Sequence, residues 1–458
     1  MRRILLTTFI FFILPNIFFI LATYWTGDDR AFINIDYLFP LLCFTFKNKI
    51  IKTIGIVLFI ILFAIDLLLI TLQHFPNLHF RDTFYLISFI FSGPKLFLTY
   101  GIIIIFILFI EIVLSLKLSV KLTFKSLLSF GICLVIFNTL YYFITQDNNP
   151  DSRFYRTSLL SSNITFFIKN QEANFSSLLG GDLLIPTSYK QATKPWSEAL
   201  KDQKLLNKKL LLIVVESWGQ PLNSNIQEDI LKNVKEKFNE LEFFHQGSMP
   251  FRGFTVEGEL RELCQLHPET VDLYQIKTGF QNCLPHQLNS LGYQTTSFHG
   301  GGSTIYGRKE WYPKAGFKKD LFQEDFKLPN KCIAFDGACD WDIIPFIKQS
   351  FTQDKKLFNY WLTLTSHYSY YTKDIHNTRF NCKTHNLSDG DACHNFMLQT
   401  QLFDDIAALI SSPEMHGVEV IIVGDHPPPL FKADEIALFK TKQMSDASVG
   451  WVHFKIKD

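Results

Sequence analysis

Apolar positions along the chain follow two different patterns. Before about residue 146 they form long unbroken runs, and after it they form short runs separated by mixed stretches. A helix needs about 20 apolar residues to cross a bilayer core. The runs 4–24, 53–73, 96–116 and 125–145 meet that length. A fifth run, 31–46, is shorter and holds Asp36 and Pro40, and 84–93 is too short to span and reads as interfacial or re-entrant. Basic residues set the count. Arg2 and Arg3, then Lys47, Lys49 and Lys52, then Lys117, Lys121 and Lys125 all fall on one side if there are five spans, and are split between two sides if there are four. Positive clusters mark the cytoplasmic side. Five spans therefore place everything after residue 146 outside the cytoplasm. The first span, with no small-residue cleavage site behind it, reads as retained rather than as a cleaved signal.

From Lys209 the pattern changes. KLLLIVVE is a short continuous apolar run rich in branched residues, the signature of a strand buried on both faces. Similar runs follow at 294–299, 357–367 and 418–426, with helical stretches such as 226–240 and 284–291 between them. Alternation of this kind predicts an α/β domain with a mostly parallel central sheet. The expected organisation is an α-helical membrane bundle of five spans over 1–146, an amphipathic juxtamembrane linker over 147–205, and an extracytoplasmic α/β domain over 206–458.

Composition sharpens this division. The formal net charge of the 458 residues is +1, which excludes a nucleic-acid binder built on a global basic surface, and 47% hydrophobic content excludes a disordered chain. The first 146 residues carry 11 Lys and Arg against 6 Asp and Glu, leaving 33 against 37 for the rest. The near-zero total describes neither part. Many of the 47 Phe belong to the apolar runs. Asp66 and Glu111 lie inside expected spans, where a buried charge serves either a lipid headgroup or a polar link between helices. Cys43 and Cys133 also lie in spans. The other six cysteines fall in near pairs: Cys264 with Cys283, Cys332 with Cys339, and Cys382 with Cys393. An even number in an outer domain points to three disulfides, the nearest-neighbour pairing being one of 15 connectivities. No CxxC spacing supports the rival reading of zinc ligation.

The chemistry gathers where the strands end. The four core runs close on Glu216, His299, His367 and the pair Asp425–His426. Open α/β sheets build their sites at the carboxyl ends of their strands. Carboxylate and imidazole together suit a divalent cation such as zinc or manganese. A nucleophile is offered by RGFTVEGELRELCQL (252–266), a glycine turn running into an amphipathic helix with Thr255 at its N-cap. Thr255 either only caps the helix or, bound to a metal, attacks phosphorus where the helix N-terminus favours an anion.

Taken in order, VVESWG (214–219), FTVEGE (254–259), HGGGSTIYGR (299–308), LTLTSHYSYY (362–371) and VGDH (423–426) resemble the sulfatase-like branch of the alkaline phosphatase superfamily. The chain looks most like its membrane-anchored phosphoethanolamine transferases, relatives of the lipoteichoic acid synthase-type phosphoglycerol transferases. The resemblance implies an alkaline-phosphatase/sulfatase-like fold for the α/β domain. It implies Glu216, Thr255, Asp425 and His426 as metal ligands, with zinc as the first choice and manganese as the alternative. Thr255 is implied to be the nucleophile that becomes phosphorylated. His299, Tyr306, Arg308 and His367 resemble the set that contacts substrate, with His299 or His367 moving a proton. Two positions depart from the pattern: Pro427 stands where a glycine is usual, and Tyr306 where some relatives have tryptophan. His453 is the only later histidine, which leaves a second metal without an evident ligand.

The activity implied is transfer of phosphoethanolamine from a membrane phospholipid, phosphatidylethanolamine, to an envelope glycan through a phospho-threonine. The alternatives are phosphoglycerol transfer and phosphodiester hydrolysis. The expected setting is a bacterial inner membrane with the catalytic domain in the periplasm and no nucleic-acid partner. A sulfatase proper is disfavoured because the Thr255 segment has no C/S-x-P-x-R pattern.

Overall fold

A computed structural model describes residues 2–26, 30–74, 95–145, 160–164, 183–202, 204, 206–269, 273, 276–430, 433–441 and 443–458. The expected re-entrant stretch 84–93 and most of the expected linker lie outside these residues. The described chain forms two compact units, one up to Ile164 and the other from Leu183 onward.

The N-terminal unit contains α1 (Arg2–Thr26), α2 (Leu38–Phe44), α3 (Lys49–His74), α4 (Lys95–Ser119) and α5 (Phe124–Thr145). Among the described residues, three segments are long and apolar enough to cross a membrane: Leu6–Tyr24, Lys49–Thr71 and Leu98–Ser119. Ile35–Phe44 and Phe124–Phe137 are shorter apolar helices. The weakest of the five runs, 31–46, thus holds only a short helix. Tyr37 hydrogen-bonds Asp66, and Cys43 packs against Gly55, so this segment runs antiparallel along α3. Asp66 is no free charge. It pairs with Arg30 at 2.9 Å and accepts from Asn34, Tyr37 and Asn163, all buried from solvent. Strands β1 (Ile33–Asn34) and β2 (Leu160–Ser161) pair in parallel beside this cluster.

The C-terminal unit is a layered α/β body. Its strands are β3 (Leu184–Pro186), β4 (Lys209–Val215), β5 (Gly219–Pro221), β6 (Leu241–Pro250), β7 (Leu266–Pro268), β8 (Gln294–His299), β9 (Lys319–Leu321), β10 (Leu357–Leu362), β11 (Val418–Gly424) and β12 (Met444–Ile456). Its main helices are α6 (Lys194–Lys201), α7 (Ser224–Lys235), α8 (Thr255–Cys264), α9 (Leu284–Ser290), α10 (Arg308–Ala315), α11 (Asp340–Phe351), α12 (Asp391–Ile410) and α13 (Ala433–Lys440). The eight-stranded sheet has the order β5-β12-β11-β4-β10-β8-β9, with β6 also paired to β12. Strands β11, β4, β10, β8 and β9 run parallel, while β12 is antiparallel to β11, β5 and β6. The sheet is therefore mixed. Its antiparallel edge escapes a search for continuous apolar runs, because buried and part-exposed positions alternate along much of β12.

The apolar run of β4 is buried on both faces, as its composition predicts. Leu211, Ile213 and Val215 pack with Ile226, Ile230, Ile343, Phe403 and Ile406 of one helical layer. Leu210, Leu212 and Val214 pack with Val256, Leu260, Leu263, Leu288 and Trp311 of the other. Each such side chain contributes roughly 1.5–3 kcal/mol on burial. The sheet is thereby held rigid, with the ends of β4 and β11 side by side. Disulfides join Cys264 to Cys283, Cys332 to Cys339 and Cys382 to Cys393, while Cys43 and Cys133 are free.

Candidate active site

Glu216 leaves the end of β4 and Asp425 the end of β11, which are neighbours in the sheet. The turn after β4 is made by Ser217, whose φ of 56° lies in the left-handed region. That turn lets Ser217 serve both carboxylates. Its Oγ donates to Glu216 Oε1 at 2.8 Å and its N–H to Asp425 Oδ1 at 2.7 Å. The Glu216 carbonyl accepts from Ser366 and from Gln399 on α12, and Asn395 one turn earlier donates to the Ser217 carbonyl. His426 follows Asp425. Its Nδ1–H donates to the Pro427 carbonyl at 2.8 Å, leaving Nε2 for the cluster, 3.4 Å from Glu216 Oε1 and 3.4 Å from Asp425 Oδ2. The proline at position 427 thus retains the one group this contact needs, a carbonyl.

Thr255 reaches the same point from the other side. Its Oγ1 donates to Glu216 Oε2 at 3.2 Å and lies 3.4 Å from His426 Nε2. Thr255 is the first residue inside α8, and Phe254 is the cap, its N–H taken by Glu257. The threonine hydroxyl is therefore not spent on capping. The helix is amphipathic as its sequence predicts, with Val256, Leu260 and Leu263 in the core, but its polar face is covered as well: every residue from Thr255 to Cys264 is buried. Two features missed in the sequence explain how it sits there. Arg261 donates to the carbonyls of Gly424 and Asp425, and Gly258 packs directly on Asp425. The available signal was a glycine inside a helix whose charged residues, Glu259, Arg261 and Glu262, crowd one turn.

The electrostatics suit a cation. Glu216, Asp425 and His426 each offer a ligand atom within 4.8 Å of the others. Asp425 Oδ2 is buried with no hydrogen-bond partner. Burial and then the neighbouring Glu216 push Asp425 up to about 8. Glu216 is held below its ordinary value, the charges of His367 and His426 outweighing burial. Two buried carboxylates this close either share a proton or hold a positive charge between them. The three ligand atoms could hold a divalent ion, and Thr255 Oγ1 lies beside them, 3.2 Å from Glu216 Oε2 and 3.4 Å from His426 Nε2.

The two other histidines differ. His367 lies five residues beyond β10, in a turn, with its Nδ1–H donating to the Tyr368 carbonyl and its ring edge against Phe335. Burial lowers its pKa. His299 ends β8, and both its nitrogens are engaged: Nδ1 with the Leu362 carbonyl at 3.1 Å and Nε2 with Arg308 at 3.3 Å. Burial first, then the Arg308 charge, hold it well below its usual pKa. Tyr306 stacks on Phe254 and lies over the Arg308 guanidinium. His453 is in β12, bonded to Glu419, and is not among the ligand cluster.

The C-terminal unit thus places a buried Glu216–Asp425–His426 grouping, which could hold a metal ion, beyond the parallel strands of a mixed α/β sheet. Residues 208–448, more than half of the chain, match the family model Sulfatase, and the chain belongs to the sulfatase family. Solved structures similar to it include the lipoteichoic acid synthase LtaP from Listeria monocytogenes, at 18% identity and a TM-score of 0.40, covering 54% of this chain and 65% of that one. The phosphoglycerol transferase GacH from Streptococcus pyogenes is 17% identical with a TM-score of 0.41, covering 59% and 78%. The integral membrane lipooligosaccharide phosphoethanolamine transferase A from Neisseria meningitidis is 12% identical with a TM-score of 0.43, covering 92% and 88%. The chain thus spans just under two thirds of the Listeria structure's length. Curated protein sequences give no match.

Proposed function

We propose that this chain is a metal-dependent phosphoethanolamine transferase of a bacterial inner membrane, taking the group from phosphatidylethanolamine and passing it to an envelope glycan. The observation that carries the reading is the position of Thr255: a hydroxyl at a helix N-terminus, within hydrogen-bond reach of Glu216 and beside His426. Glu216, Asp425, His426 and Thr255 hold the ion, zinc before manganese, which when bound polarises the phosphate and favours the ionised hydroxyl.

Thr255 Oγ forms a bond to phosphorus while the bond from phosphorus to the diacylglycerol oxygen breaks. The N–H groups at the start of α8 take the phosphoryl oxygens. The proton given up by Thr255 is matched by the one the diacylglycerol oxygen gains, with His367 Nε2 as the carrier. In the second half the glycan hydroxyl attacks the phospho-threonine, and its proton returns to Thr255. Tyr306, part-exposed beside Phe254, lines the approach. The donor is a lipid, which accounts for the apolar helices. The arrangement proposed is five crossings, with residues 31–46 as the irregular one, and an outer, periplasmic domain following residue 146.

The test is full-length protein with labelled phosphatidylethanolamine and a lipopolysaccharide acceptor, followed by mass analysis of the acceptor. An added phosphoethanolamine that disappears in Thr255→Ala supports the reading. Full transfer by Thr255→Ala, added glycerol phosphate from a phosphatidylglycerol donor instead, or release without transfer each overturns it.

A further inference from the structure

Behind Thr255 lies a charged cluster closed to solvent. Glu259 is one helical turn after Thr255 on α8, fully buried, and Arg308 at the start of α10 is 1% exposed. Arg308 Nε and Nη2 donate to Glu259 Oε2 at 3.0 and 2.8 Å, a two-pronged pair. Glu259 Oε1 accepts from Tyr312 of α10 and Tyr360 of β10. The remaining arm of Arg308, Nη1, reaches His299 Nε2 at 3.3 Å and the Ile305 carbonyl at 3.5 Å. A carbonyl accepts only from an N–H, so the contact with Leu362 makes His299 the Nδ1–H tautomer, and its Nε2 lone pair is the one Arg308 takes. Four elements, α8, α10, β8 and β10, therefore meet on one ion pair.

We propose that Glu259 and Arg308 are a positioning pair that holds the Thr255 helix and the His299 strand end in register, with Arg308 acting on the reaction through this pair rather than by touching substrate. This departs from the phosphate-contacting role that the resemblance implies for Arg308, and it rests on Thr255 being the nucleophile. Two observations argue for it. The guanidinium is committed on every nitrogen to protein groups and closed to solvent. A buried ion pair is also a poor source of stability compared with an apolar core, so its presence between four elements points to geometry.

The experiment compares wild type, Glu259→Gln, Arg308→Gln, Arg308→Lys and the Glu259→Gln/Arg308→Gln double variant, all full-length and checked for cooperative melting. A misplacement of about 1 Å costs on the order of 100-fold in rate. The expected result is a kcat lowered about 10- to 100-fold in both single Gln variants, with KM for the donor lipid within about twofold. The double variant is no worse than the worse single, and Lys gives no rescue because one ammonium cannot span both partners. A KM raised about tenfold in Arg308→Gln while Glu259→Gln behaves as wild type overturns the proposal. If wild type transfers no group at all, the proposed function fails instead. The pair is then tested by 15N resonance of labelled histidines. A fixed Nδ1–H tautomer for His299 in wild type that is lost in Arg308→Gln supports it, and an Nε2–H tautomer in wild type overturns it.

Discussion

Gly258 lies in van der Waals contact with the backbone of Asp425: a Cβ built on it would stand 2.7 Å from the Asp425 carbonyl oxygen and 2.8 Å from its Cα. These atoms are main chain and cannot swing aside. Glycine is therefore what allows the Thr255 helix to approach the strand end that carries Asp425, with Arg261 tying the same two pieces through the Gly424 and Asp425 carbonyls. Gly258→Ala is expected to cost about 1–3 kcal/mol by overpacking and to lower transfer at least tenfold, although alanine is the better helix former. Unchanged turnover in an enzyme assay would remove this contact from the account.

Metal content gives a second check. Asp425 Oδ2 is buried without a hydrogen-bond partner and fits as a ligand. Dialysis against a chelator should abolish transfer and lower the melting temperature of the C-terminal domain, and added zinc or manganese should restore both. Asp425→Asn should bind less metal by elemental analysis at equal protein. Equal occupancy in the two proteins counts against Asp425 as a ligand.

The backbone of Glu216 is held from behind by a residue outside the Glu216–Asp425–His426 grouping. Gln399 Nε2 donates to the Glu216 carbonyl at 2.9 Å from within α12. Gln399→Leu should weaken metal affinity by about 10- to 100-fold while leaving the fold intact. Metal titration followed by activity measures this, and excess metal should recover most of the rate.

Asp340 predicts a stability profile. Its carboxylate accepts the Leu364 and Thr365 N–H groups at the turn after β10, and burial, outweighing those bonds, pushes it up to about 6. A carboxyl with a raised folded pKa stabilises fully below its unfolded value, and that contribution is lost as pH rises toward 6. Roughly two pKa units correspond to about 3 kcal/mol. The stability difference between wild type and Asp340→Asn should therefore shrink by up to that amount between pH 4 and pH 6 in denaturant unfolding. A pH-independent difference refutes it.

The Cys264–Cys283 bond ties the end of α8 to the start of α9 across 19 residues. A closed loop of that size stabilises by about 3 kcal/mol in the chain-entropy view. Replacing both cysteines by alanine should lower the unfolding free energy by about that amount, read by chemical denaturation.

What could be read along the chain was whatever is local and periodic. Long apolar runs announce membrane helices, and continuous branched runs announce strands buried on both faces, because burial acts on neighbouring positions in a fixed rhythm. The near-paired cysteines were legible for a similar reason, since short loops close most readily. Strand ends exposed Glu216, Asp425 and His426, because a polar residue closing a core strand interrupts that rhythm. Packing between distant segments decided the rest. The antiparallel edge of β12 alternates too weakly to stand out. The short helix within 31–46 is held against α3 by Asp66 and Tyr37 rather than by its own length. No spacing could show that His299 is bound at both nitrogens while His367 lies in a turn beyond its strand, or that Arg308 is claimed by Glu259, 49 residues earlier. Hydrophobicity is written residue by residue, but hydrogen-bond partners are chosen only when the layers close.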